Sequence, residues 1–340
     1  MARTSKFIRL VRRPEGNLAE DIFELASESV ADPGDGEFLI EVNYLAIDPA
    51  LLSRMRDEDN YTAGIAPGEL VWANGVGVVI ESRNSQVAVG EVRVGPVGMQ
   101  QYSLQSDPST TRIVEPKLGV PRWHLGVLGT TGVTAKLALQ TIGEPKAGET
   151  VLVSSGGSSV GSIAAQLAKS MGCRTVGIVS TVDKARRICD DWGYDAAFSY
   201  RNRTVDEMSA SIEECCPDGV DVYFDNTGGD ISESVIDHFN LFARHIVVGR
   251  ISVAHLKDSR ADIGRRDGNT VLVKRLKKQG FVVHDHAEAR PKAVAELHAA
   301  IENGDLIFRE DIVEGIERAP EAFFRMVKGQ STGKQLVRVS

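Results

Sequence analysis

Apolar positions in the first third of the chain come in short runs rather than at helical spacing. Phe38–Tyr44 reads as a strand of mixed alternation after the turn-prone stretch Asp32–Gly36. Val76–Ile80 is a second apolar run, bounded by Asn74 and Gly75, and valines alternate with turn residues from Gly90 to Gly98. Frequent Gly and Pro between these runs predict a barrel-like or sandwich-like β domain. The period changes near Thr150. Thr150–Val153 reads as a short buried strand, and a Gly/Ser turn leads into Val160–Met171, which has helical spacing. Thr175–Val179, Ala196–Phe198, Val220–Phe224 and His245–Val248 read as further strands. The helices between them are Thr181–Trp192, with Asp183 as a capping or first-turn acid, and a segment running through Asp237. This alternation continues to about Val283 and is the signature of an α/β, doubly wound parallel sheet. Toward the end, Leu306–Arg309 reads as extended, Ala319–Lys328 as a helix and Gln335–Val339 as a final strand. The last stretch is expected to return to the first domain, so that residues 126–304 form a domain inserted into a discontinuous one made of 1–125 and 305–340.

Composition narrows the function. A chain of 340 residues exceeds the roughly 250–300 that one core usually supports, so two domains are the default. The formal charge of −8 argues against nucleic acid as the main partner, since a phosphate backbone selects a basic face. The basic cluster Lys274–Lys278 is short and reads as a solvated face or a strand entry. The cysteines are Cys173, Cys189, Cys215 and Cys216; with no C-x-x-C and two of them adjacent, they predict a reducing, cytoplasmic setting. No apolar run reaches about 18 residues, so no membrane span is expected. The polar residues after Met1 likewise predict no signal peptide.

The segment Val151–Lys169 carries the most chemistry. A strand, a turn of small residues and a helix follow one another, which lets backbone approach a pyrophosphate at a helix N-terminus. Gly156 and Gly161 hold the first and third places of G-x-G-x-x-G, while Ser158 holds the second. A dinucleotide is therefore expected against Ser158, Ser159, Val160 and Gly161. NAD sites usually place an acid about 20 residues on, at the tip of the next strand. Here that tip is Val179-Ser180-Thr181, without an acid. Ser180, Lys184 and Arg187 suit a 2′-phosphate instead, so the expected cofactor is NADPH/NADP⁺.

Several blocks together resemble a known family. They are Ile47–Pro49, Gly75–Val79, Leu125–Ala135, Val160-Gly161 with Gln166–Lys169, Gly219–Gly229, Gln279–Phe281, Arg309–Gly315 and Ala319–Phe323. With them the chain resembles the zinc-free medium-chain dehydrogenase/reductase superfamily. Within it, the resemblance is to the branch of leukotriene B4 dehydrogenase, prostaglandin reductase and the double-bond (curcumin) reductases, over nearly the whole length. It implies a Rossmann NADP-binding domain inserted in a GroES-like β-barrel substrate domain, and a homodimer. By the same resemblance Lys184 and Tyr200 meet the 2′-phosphate region, and Asn226 lies near the cofactor. Val248, Gly249, Ile251, Phe281 and Val283 border the nicotinamide, and Ser331 stands where relatives carry an Asn. Two departures mark the substrate pocket. Ala254 occupies the place of a family Tyr, with His255 beside it, and Ala50-Leu51 replaces Tyr-Met after Asp48-Pro49.

Neither zinc site of the metal-dependent relatives can be built, because no cysteine precedes Cys173 and Ala46–Asp48 stands where the first ligand would be. His284-x-His286 places two imidazoles on one strand face without a supporting acid or thiol cluster. Without a Lewis acid, conjugate reduction of a small hydrophobic enone or enal fits best. Charge then develops on a carbonyl oxygen that needs a donor. The side-chain candidate is Tyr61, weighed against a loop aromatic packed over the core. Tyr102 reads as structural, and Trp72, Met55 and Met99 as core or pocket wall. Two rivals stand beside this reading: an NADPH quinone oxidoreductase, and a non-catalytic NADPH-binding regulatory protein.

Overall fold

A computed structural model of the chain describes residues 3–14, 18–56, 63–254, 256 and 259–339. The chain divides into two compact units. One comprises Met1–Gly126 and Glu310–Ser340, the other Val127–Arg309.

The first unit is β-rich. Thr4–Leu10 pairs antiparallel with Phe23–Ser29. A seven-stranded sheet runs in the order Glu310–Glu314, Lys334–Arg338, Phe38–Ala46, Asn74–Ser82, Val92–Pro96, Arg112–Ile113, with Tyr102–Gln105 also on Phe38–Ala46. The central strand explains its own mixed alternation. Its register shifts between Leu39 and Ile40 and again between Val42 and Tyr44, so apolar residues reach the core from neighbouring positions. Phe38, Leu39, Ile40, Val42 and Leu45 are all fully buried. Helix Ala319–Val327 buries Phe323 and Phe324 against Phe23, with ring centroids 5.6 and 6.0 Å apart. Lys334 pairs with Asp48 inside this unit. The strand of the last segment starts at Glu310, and the run Leu306–Arg309 before it is irregular chain rather than a strand. The side chain of Gln166 bonds both the N–H and the C=O of Ile307 at 2.8 Å, which ties this run to the second unit.

The second unit is a six-stranded parallel sheet. Its strands are β1 Thr150–Ser154, β2 Arg174–Val179, β3 Ala196–Ser199, β4 Val220–Asp225, β5 Phe239–Val247 and β6 Lys277–Gly280. In space they follow the order β3-β2-β1-β4-β5-β6. Helices α1 Ser159–Ser170, α2 Val182–Trp192, α3 Val205–Cys215 and α4 Gly229–Val235 connect them. β1 is buried at every position, as its unbroken apolar run requires of a central strand covered on both faces. β5 begins earlier than the apolar run His245–Val248 suggested, because Phe239 already pairs with Val220. The helix before it ends at Val235, and Ile236–His238 is a 3₁₀ turn. α2 starts on Thr181, whose hydroxyl accepts from the Lys184 amide at 3.2 Å. Thr181 is therefore the cap, and Asp183 is an exposed first-turn acid 3.7 Å from Arg186. Among the described residues, no helix is long and apolar enough to cross a membrane.

Candidate functional site

In a sheet ordered 3-2-1-4-5-6 the connections leave β1 and β4 in opposite directions, which opens a crevice beyond their C-terminal ends. Most of the site residues expected from sequence stand on that edge. Ser158, Ser159, Val160 and Gly161 follow β1, Ser180 and Lys184 follow β2, and Tyr200 follows β3. Asn226 follows β4, Val248, Gly249 and Ile251 follow β5, and Phe281 and Val283 follow β6. Ser331 belongs to the first unit. Tyr61 and His255 lie outside the described residues.

The turn after β1 is built by backbone geometry. Ser155 adopts a left-handed φ of 53°. Ser158 caps α1, its Oγ accepting from the Gly161 amide at 3.1 Å, a cap worth about 1 kcal/mol. The Ser158 hydroxyl proton remains available to donate, while first-turn amides have no intrahelical acceptor. Gly161 has no room for a side chain, since a Cβ would sit 2.5 Å from the Ser155 carbonyl oxygen. Ser159 Oγ donates to Thr131 Oγ1 at 3.1 Å.

One residue bracing this turn was missed by sequence reasoning. Tyr194, buried between α2 and β3, donates its hydroxyl to the carbonyls of Gly156 at 3.1 Å and Gly161 at 3.0 Å. Burial, and then the nearby Cys189, push this phenol far above its ordinary value, so it is a permanent donor. The available signal was an aromatic right after a helix-ending glycine, Gly193.

At the tips of β2 and β3, Tyr200 donates its amide to the Val179 carbonyl at 2.9 Å, which sets it beside Ser180. Ser180 is buried and Lys184 half-buried. Burial raises the Tyr200 hydroxyl above its usual range. The β2 tip itself, Val179-Ser180-Thr181, carries no carboxylate.

The β4 end is the most heavily bonded part of the edge. Asn226 donates its amide to Ser154 Oγ at 2.8 Å and its side-chain NH₂ to the Ser154 carbonyl at 2.7 Å, linking β4 to the base of the turn. Val248 and Gly249 both donate to the Asp225 carbonyl, at 2.8 and 3.0 Å. A Cβ on Gly249 would meet the Asn226 carbonyl at 2.9 Å. The amide of Phe281 is taken by Val247 O at 3.0 Å, and its ring stacks on His286 at 4.8 Å. His284 and His286 sit in the 3₁₀ stretch Val283–Ala289, not on a strand face, so the strand-borne pair read from the sequence does not exist. A 3₁₀ turn rotates residues two apart to different directions, which is why the spacing misled.

In the first unit, Tyr102 donates to Glu41 Oε1 at 3.2 Å, and burial, with the Glu41 charge, raises its pKa. Trp72 lies under the Arg54 guanidinium at 4.1 Å, and Met55 and Met99 are core.

Residues 6–113 match a family profile described as the N-terminal domain of oxidoreductase, and residues 159–299 one described as zinc-binding dehydrogenase. The zinc of the second description does not fit these residues. The thiol ligands are missing from the whole first half of the chain, and among the described residues no three His, Cys, Asp or Glu converge on one point. The Bacillus subtilis protein YfmJ is 36% identical, the match covering 100% of this chain and 99% of that protein. The NADPH-dependent curcumin reductase of Escherichia coli is 31% identical over 97% of this chain and 96% of its own length. The crystal structure of CurA from Vibrio vulnificus in complex with NADPH superposes with a TM-score of 0.91 at 29% identity, covering 98% of this chain and 99% of that one.

Proposed function

Because the chain belongs to the medium-chain dehydrogenase/reductase family, in the branch of the curcumin, alkenal and prostaglandin reductases, we propose that it reduces the carbon–carbon double bond of α,β-unsaturated ketones and aldehydes with NADPH. The observation that carries the cofactor half of this reading is the edge of the parallel sheet. A capped helix N-terminus, a glycine that admits no Cβ and an acid-free β2 tip suit a dinucleotide bearing a 2′-phosphate. NADPH, when bound, supplies a hydride from its nicotinamide, which conjugate reduction delivers to the β-carbon.

The protein's part is binding and orientation. The first-turn amides of α1, at Ser159 and Val160, and the Ser158 hydroxyl hold the pyrophosphate. Ser180, Lys184 and Tyr200 hold the 2′-phosphate, and the acid-free β2 tip spares it repulsion. Asn226, Val248, Gly249, Ile251, Phe281 and Val283 line the nicotinamide side of the crevice, and the family resemblance adds Ser331 to the cofactor's contacts. Reduction leaves negative charge on the substrate's carbonyl oxygen, for which Tyr61 is the candidate side-chain donor. The α-carbon takes its proton from a donor or from water. The first unit is the substrate domain and the second the NADP domain.

The exposed strand β6 pairs on one side with β5, and Leu272 and Val273, on the short helix Gly268–Lys274 that precedes it in the chain, are exposed. Such an edge is a template for pairing with a second copy, which supports a homodimer. All four cysteines are free thiols, in keeping with a reducing, cytoplasmic setting.

The test is NADPH oxidation with a panel of enals, enones, quinones and saturated ketones, with NADH as control. Enone-dependent oxidation that prefers NADPH sustains the assignment. Turnover of quinones without enones replaces it with a quinone reductase, and binding without any turnover replaces it with a regulatory protein.

A further inference from the structure

The edge of the parallel sheet holds a buried charged network that no step above uses. Asp225 ends β4 and His245 lies on neighbouring β5, 1% and 4% exposed. His245 Nε2 and Asp225 Oδ2 are 3.1 Å apart. The Ser232 hydroxyl donates to the same oxygen. Oδ1 receives the amides of Thr227 and Gly228 at 2.9 and 3.0 Å and the hydroxyls of Tyr223 and Ser154 at 3.1 and 3.2 Å. The His245 ring packs against both Tyr223 and Phe239, with centroids 4.9 and 5.8 Å away, and those two rings also touch each other at 6.4 Å.

The two oxygens of Asp225 thus face different tasks. Oδ1 orders the backbone just after β4, where Asn226 and Gly228 stand. The main-chain carbonyl of the same residue takes the amides of Val248 and Gly249. Ser154 Oγ bridges the carboxylate to the Asn226 amide. One residue therefore sets the relative position of three strand ends that border the crevice. The orientation of its side chain depends on what holds Oδ2 in the core. Burial alone would raise this carboxyl; the hydrogen bond and charge of His245, with the Gly228 amide and Ser232, outweigh it and bring it to about 2. An ionised carboxylate only accepts, so His245 carries its proton on Nε2.

We propose that His245 is a positioning residue of the cofactor crevice: by donating to Asp225 Oδ2 it locks the carboxylate that registers the Asn226–Gly228 turn against the Val248–Gly249 strand end. The nicotinamide side of the crevice is then preorganised before any ligand enters. The inference rests on the reading of this crevice as the NADPH site, so its test has a readout that needs no ligand.

The experiment compares the full-length chain with His245→Leu, which keeps the bulk and removes the donor, and with His245→Gln, which restores an N–H. Amide hydrogen exchange is followed by mass spectrometry without cofactor, and NADPH affinity is measured by titration without substrate. For His245→Leu, exchange in peptides spanning residues 225–229 and 248–250 should rise about tenfold while β1 and β2 stay protected, and the NADPH Kd should rise about tenfold. His245→Gln should recover most of both. Turnover should show the loss in the KM for NADPH and not in the KM for enone. Unchanged exchange at 225–229, a uniform rise over the whole unit, or no rescue by Gln would overturn the proposal. If His245→Leu does not fold, His245→Phe keeps a ring against Tyr223 and Phe239 while removing the donor, and it must produce the same local exchange signature, or the proposal fails. Local exchange that responds as expected in a chain that binds no NADPH would overturn the crevice assignment and reduce His245 to a structural role.

Discussion

The hydroxyl of Tyr194 lies 3.0 Å from the carbonyl oxygen of Gly161, and the same hydroxyl reaches Gly156 O at 3.1 Å. A side chain placed after α2 thereby braces both ends of the turn between β1 and α1. Removing the oxygen with Tyr194→Phe takes away the one proton shared by these carbonyls and leaves the buried Gly156 carbonyl, which has no helix bond as Gly161 has, short of its donor, at a cost of about 1–3 kcal/mol. Thermal unfolding should show a lower midpoint, and NADPH titration a several-fold weaker affinity. An unchanged affinity alongside the lower midpoint would confine Tyr194 to stability.

Gly161→Ala is expected to be worse. The added methyl would sit 2.5 Å from a main-chain oxygen that cannot swing aside, so α1 must shift away from β1. Overpacking of this kind costs about 1–3 kcal/mol, and the displaced helix N-terminus should lose most NADPH affinity. Isothermal titration of the purified variant checks this.

Lys184 stands half-buried on the first turn of α2, beside the Ser180 tip. Lys184→Ala should lower the preference for NADPH over NADH by about tenfold, the loss expected of one charge-assisted phosphate contact. The KM values for both cofactors measure it. Equal loss for NADPH and NADH would move the 2′-phosphate elsewhere.

Asp225 is held at about 2 against an ordinary 3.8, a shift equivalent to about 2 kcal/mol. Because the folded-state value is depressed, that stabilisation is complete above the unfolded value and is lost as pH falls from about 4 toward about 2. Urea unfolding at a series of pH values across this window should show the wild-type midpoint falling more steeply than that of Asp225→Asn. Parallel slopes would mean that another carboxylate controls the acid limb.

Exhaustive treatment with a chelator should leave enone reduction unchanged, because the chain has no thiol before Cys173 from which either zinc site could be made. Loss of rate restored by zinc would require a ligand set that these residues do not suggest.

Much of the nucleotide domain was legible because its signals are local. The unbroken apolar run Val151–Val153 reads as a strand buried on both faces, and the small residues after it make a tight turn into a helix. The acid-free tip at Ser180 could likewise be read from one dipeptide. The sequence leaves alternatives open, or misleads, where two local options compete. Asp183 reads as a cap or a first-turn acid; the backbone at Thr181, φ −142° and ψ 156°, makes Thr181 the cap and Asp183 the first-turn acid. His284 and His286 looked strand-borne until a 3₁₀ turn separated their directions.

The sequence by itself therefore determined the alternation of strand and helix that makes the parallel sheet, the tight turn of small residues after Val153 and the lack of thiol ligands before Cys173, since these depend on side-chain size and on neighbours a few residues away. Only the tertiary structure decided which buried polar groups meet. Tyr194 finds carbonyls 33 and 38 residues distant, and Asp225 finds His245 across 20 residues of chain. Burial obliges each such group to have a partner, but packing of the sheet and its helices selects which one, and no periodicity along the chain records that choice.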